Sequence, residues 1–192
     1  NMKKFLAIML AALTLVSLAA CAAKTDTAAG ETDTQIPDAL TLLNTVWDSY
    51  TDDEKFPAAG GDYSEENMTD GKPGKVDVSN ADNVQYLLKF PTAQADKIDD
   101  AASLMHMMNG NTFTCGAFRV KDSADLADVA AAVKEEVMGT QWMCGFPDKL
   151  VVATVGNYLV EFYGAEDLIN TFRDKLQAAY ADVQIVCDEP IA

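Results

Sequence analysis

The chain has 192 residues, with 14 Lys plus Arg against 30 Asp plus Glu and a formal net charge of −16 at pH 7. That acid excess argues against a nucleic-acid surface and against attachment to anionic lipid through the protein's own charge. Four cysteines without paired spacing exclude a readable disulfide framework or zinc knuckle, and the length suits one domain with a core plus a tether.

Lys3 and Lys4 open the chain, an apolar run from Phe5 to Ala20 follows, and small residues close it. These are the three regions of an export signal, and the run is too short and too soon polar for a spanning helix. Leu18-Ala19-Ala20-Cys21 resembles the lipobox of bacterial lipoproteins, in which the cysteine thiol takes a diacylglycerol before the signal is removed. The expectation is a precursor whose residues 1–20 are a signal peptide, cut before Cys21 and lipidated there. The mature chain is then held at the extracytoplasmic face of the cell membrane through that lipid alone. Ordinary secretory cleavage near Ala20-Cys21-Ala22 is the alternative.

Residues 21–35 hold almost nothing large and apolar, so burial cannot offset the entropy of ordering them, and a flexible tether is expected. Residues 36–192 read as a single α+β domain. Between Ile36 and Tyr50, Leu40, Leu43, Val46, Trp47 and Tyr50 share one helical face, with Pro37 and Asp38 suited to the first turn. Residues 51–79 are rich in acid, Gly and Pro and hold no sustained period, which predicts a long acidic surface loop. A short helix through Val84, Leu87 and Leu88 is expected over residues 80–90, closed by Pro91.

The second half is more regular. Ala101–Met108 and Thr112–Val120 flank Asn109-Gly110-Asn111, a turn composition that favours positive φ and predicts a hairpin. Asp122 or Ser123 can cap a helix with Leu126, Val129, Ala130, Val133 and Val137 on its core face. Leu150–Val155 and Tyr158–Tyr163 form a second hairpin around Gly156-Asn157. A last helix from Ala165 to Tyr180 follows, then an edge strand at Val183–Val186. The order hairpin, helix, hairpin, helix predicts a two-layer α+β sandwich: an antiparallel sheet of two hairpins with helices packed on one face.

Met107-Met108-Asn109, the strand ending at Lys121, Trp142, the Pro147-Asp148 pair and Gly156-Asn157-Tyr158 together resemble a family of small bacterial lipoproteins, domain of unknown function 4358. Where that family tends to place a tyrosine between tryptophan and proline, this chain has Met143-Cys144-Gly145-Phe146. The resemblance implies location and fold; it carries no activity and no catalytic residue.

Chemistry-bearing residues are few. His106 is the one histidine, and a Cys–His pair would have to join it to Cys115 across the first hairpin; a strand histidine with a structural partner is the plainer reading. Met105, Met107 and Met108 beside it could suit copper, but only alternate residues of a strand share a face, and core packing accounts for them as well. Asp62, Glu65, Glu66 and Asp70 could offer oxygens to calcium, yet lack the spacing of an EF-hand. No phosphate loop, Gly-x-Ser-x-Gly or His-Glu-x-x-His motif occurs.

Trp142, Phe146 and Tyr63 fall in loops and form the candidate contact surface. The expected function is therefore a membrane-anchored binding or accessory domain, not an enzyme, with no cofactor. Its partner is an envelope protein, a peptide or a small ligand. A metal-binding envelope protein and a hydrolase using scattered carboxylates are the alternatives.

Overall fold

The structure is a computed structural model, which describes residues 35–191. The proposed signal peptide, Cys21 and most of the tether lie outside the described residues. No described helix is long and apolar enough to cross a membrane.

Helix α1 (Ala39–Asp48) begins as its sequence indicates, with the Asp38 carboxylate accepting the Thr41 N–H at 2.7 Å. A second, distant carboxylate completes that end: Asp100 accepts the Ala39 N–H, also at 2.7 Å. Two of the four orphan donors of the first turn are thus satisfied.

Residues 51–79 are not a free loop. They supply three short strands, β1 (Ala58–Gly60), β2 (Thr69–Asp70) and β3 (Gly74–Val76). Here β1 and β3 pair with the far strand of the first hairpin, β4 (Ile98–His106), and β2 pairs with β1. The glycines permit this. A Cβ on Gly60 or Gly74 would overlap the backbone of the other, so the chain segments approach only because neither has a side chain. Trp47 on α1 ties the excursion down by donating its indole N–H to Gly71 O at 3.0 Å.

Helix α2 (Ala81–Leu88) follows. The hairpin of β4 with β5 (Phe113–Val120) and that of β6 (Lys149–Val155) with β7 (Tyr158–Gly164) form as expected; Gly156 takes the positive φ of its turn, whereas Asn109-Gly110-Asn111 does not, because residues 107–112 make a longer connection that needs none. Helix α3 (Leu126–Met138) joins them, α4 (Glu166–Ala179) follows the second hairpin, and β8 (Gln184–Pro190) closes the chain. All pairings are antiparallel, in the order β2-β1-β4-β5-β7-β6-β8, with β3 also on β4.

The α+β class and the antiparallel sheet of two hairpins stand, but the layering differs from the expectation of helices on one face. One core joins α1 and α4 to Leu104, Phe113, Val151, Val160 and Phe162. A second core, on the other side, joins α2 and α3 to Phe118, Val120, Val152 and Leu159. Helices therefore cover both faces. The cause lies in the central strands: every residue of β7 is buried, so neither face could be left to solvent.

Candidate functional site

On the α2 and α3 side, at the end of the sheet near the β4–β5 turn, an open groove of about 390 Å³ lies between α2 and the segment following α3. Tyr63, Tyr86, Trp142 and Tyr163 line it with Met105 and Lys89. Tyr86 is 77% exposed because the same helix buries Val84, Leu87 and Leu88 on its other side. Trp142 packs on Tyr163 with ring centroids 5.2 Å apart, and the Lys89 ammonium lies 5.9 Å from the Trp142 centroid. The segment carrying Trp142 is held by Asn111, whose side-chain amide donates to Cys144 O and Gly145 O at 2.9 and 3.0 Å.

Among the described residues, two that are not glycine take the left-handed backbone: Tyr63 at φ 62° and Lys89 at φ 57°. Both line this groove. For a tyrosine this conformation is strained and persists only where its surroundings over-determine it. The neighbouring Asp62 does so. Its carboxylate accepts from Ser64 N and Oγ, Asn67 Nδ2 and Asp77 N, at 2.6 to 3.1 Å. Burial would raise the Asp62 pKa, but these hydrogen bonds outweigh it and hold the group down at about 2. The Tyr63 hydroxyl in turn points at Met105 Sδ, 3.8 Å away.

Glu161 lies on the face of β7 that carries Tyr163, two residues from it, opposite Gly116 on β5 and Val152 on β6. It is 0% exposed, and neither carboxyl oxygen has a hydrogen-bond partner among the described residues. Burial, and then the Glu136 charge on α3, push its pKa well above the ordinary carboxylate value, while Lys89 pulls the other way. The fold therefore favours its neutral form. The Trp142 indole N–H is likewise buried without an acceptor among the described residues.

Of the three residues singled out as a contact surface, Trp142 and Tyr63 meet in this groove, whereas Phe146 lines a smaller neighbouring hollow with Asn109 and Asp148. Tyr86, Lys89 and Glu161 escaped the sequence reading. Glu161 had a visible signal, a lone acid inside the apolar run Tyr158–Tyr163.

His106 stacks on Phe56, 5.7 Å between centroids, and its Nδ1 accepts the Met108 N–H at 3.2 Å. Cys115 is buried, and burial followed by the Glu161 charge pushes its thiol pKa well up, the opposite of an activated nucleophile. Cys115 and Cys187 are buried in the cores on opposite faces, and Cys144 is exposed; all three are free thiols. Met105 is buried, while Met107 and Met108 lie exposed beyond the end of β4. Asp62 is the hydrogen-bond hub already described. Among the described residues no three His, Cys, Asp or Glu side chains gather so as to hold a metal ion.

No family model matches the chain, and no curated protein or solved structure does either.

Proposed function

We propose that this chain is a lipid-anchored, extracytoplasmic binding protein that holds a ligand in the groove between Tyr63, Tyr86 and Trp142. The anchor is the lipid on Cys21, and the resemblance to small lipoproteins of unknown function supports the same location. The observation that carries the binding reading is the coincidence of strain and aromatic surface. Among the described residues, both left-handed ones that are not glycine line this groove, which gathers four aromatic rings, and strain of this kind collects at ligand clamps. Large rings on a rigid frame give contact area at small entropic cost.

A hydrolase would need two carboxylates of opposed protonation facing one cavity. Glu161 is sealed from solvent, and Glu136 is engaged by the Gln85 side chain at 3.0 Å, so that reading gains no support.

Trp142 fluorescence of the purified chain, titrated with envelope sugars, short peptides and small organic ions, tests the proposal. A saturable change with one compound class, lost in Trp142→Phe while buried Trp47 still emits, is the expected result. No response to any class would overturn it. The anchor is tested separately: Cys21→Ser should release the protein from the membrane fraction of producing cells, and retention there would refute lipidation.

A further inference from the structure

The groove is asymmetric in charge. Its wall at Thr140 is shared with a second hollow of about 320 Å³, which Glu135 and Glu136 line. Beyond them lies Glu161, a wholly buried carboxyl without a donor. Aromatic rings line the groove, and the chain as a whole carries a charge of −16. Ring faces present the negative side of their quadrupole, and a negative field concentrates cations.

Resting on the binding reading above, we propose that the ligand is a compact organic ammonium ion, received by the faces of Trp142, Tyr86 and Tyr63. The molecule already shows where such a group sits: the Lys89 ammonium occupies the Trp142 face at 5.9 Å. A ligand ammonium takes that place when the Lys89 side chain, half-buried at the left-handed end of α2, swings to solvent. An anionic ligand would meet the acidic field of the chain as a whole.

The charged and titratable groups around Glu161 are Glu136 from α3, Lys89 from the end of α2, Tyr163 on its own strand and the Cys115 thiol through the sheet; Gly116 and Val152 beside it are uncharged. Lys89 is the cation among them, so a ligand ammonium that takes its place leaves the charge facing Glu161 unchanged.

The test uses choline and its uncharged isostere, in which carbon replaces the quaternary nitrogen, against the purified full chain with Trp142 fluorescence as the readout. Choline should bind at least about tenfold more tightly than the isostere, and Lys89→Met should tighten choline. Equal binding of choline and isostere overturns the ammonium inference and leaves the groove as a ligand site. A response only to sugars or peptides does the same. Silence toward every compound overturns both readings. Should Lys89→Met fail to fold, the choline-to-isostere ratio still decides.

Discussion

Ser103 on β4 satisfies both backbone groups of Gly61, donating its hydroxyl to the carbonyl at 2.7 Å and accepting the N–H at 2.8 Å. One buried side chain thereby holds the acidic excursion against the sheet immediately before Asp62 and Tyr63. Ser103→Ala strands a buried donor and a buried acceptor, which should cost about 1–3 kcal/mol of stability. Urea unfolding measures it; a loss below a few tenths would show that water takes over both groups.

Gly116 faces the same side of the sheet as Glu161. A Cβ there would stand 2.7 Å from the Phe118 ring and 3.2 Å from Leu88 Cδ1. Gly116→Ala should therefore destabilise by about 1–3 kcal/mol through overpacking. Combined with Phe118→Leu, which makes room, the loss should be smaller than the sum of the two single losses, and additivity would show that the ring moves aside freely.

Glu161 governs the alkaline side of the stability profile. Its native pKa is raised, so above the ordinary value of 4.5 the unfolded chain releases a proton that the folded chain keeps. Its contribution is complete below that pH and is lost as pH rises toward the native value. Glu161→Gln should match the native chain in acid and gain on it by up to about 1.4 kcal/mol per pH unit above. Denaturant midpoints across pH give the result; a difference that does not change with pH would mean the carboxyl is not held neutral.

Asp62 governs the acid side with the opposite sign. Its native pKa of about 2 lies below the ordinary 3.8, so its contribution is whole above the ordinary value and is lost as pH falls toward 2. Asp62→Ala should lower stability at neutral pH and flatten the profile between these values. It should also weaken ligand binding, because the turn that holds Tyr63 in its strained backbone is gone. Undiminished affinity would show that Tyr63 adds nothing to the groove.

The second hairpin and the helices were legible because Gly156-Asn157, with Gly156 at φ 54°, and the spacing of Val129, Val133 and Val137 are local signals, whereas Asn109-Gly110-Asn111 marked the place of the first turn without the positive φ expected of it. The number of layers was not, although the unbroken apolar run of β7 around Glu161 is what a strand buried on both faces looks like. The acidic stretch misled for a different reason. Strands of two or three residues are too short to show a period, and Asp62 gains its meaning from Asp77 N, fifteen positions on. Trp142 and Tyr63 stood out as rings in loops, but only the fold brings them to one groove. Lys89 and Tyr86 carry no local signal, because only the fold sets the end of α2 beside Trp142.

The two ends of the sheet differ from its centre. At one end β2 is two residues long, and at the other β8 ends in Asp188, Glu189 and Pro190, with Lys134, Lys149 and Arg173 paired to its acids. An open sheet exposes unpaired backbone at its margins, where a second copy could add its own strand. Under the anchoring proposed above, many copies would share one membrane surface and meet far more often than in free solution. A stub at one margin, and clustered acids with a proline at the other, leave neighbouring copies little to zip together, so the chain can be crowded on a membrane and remain a population of separate molecules.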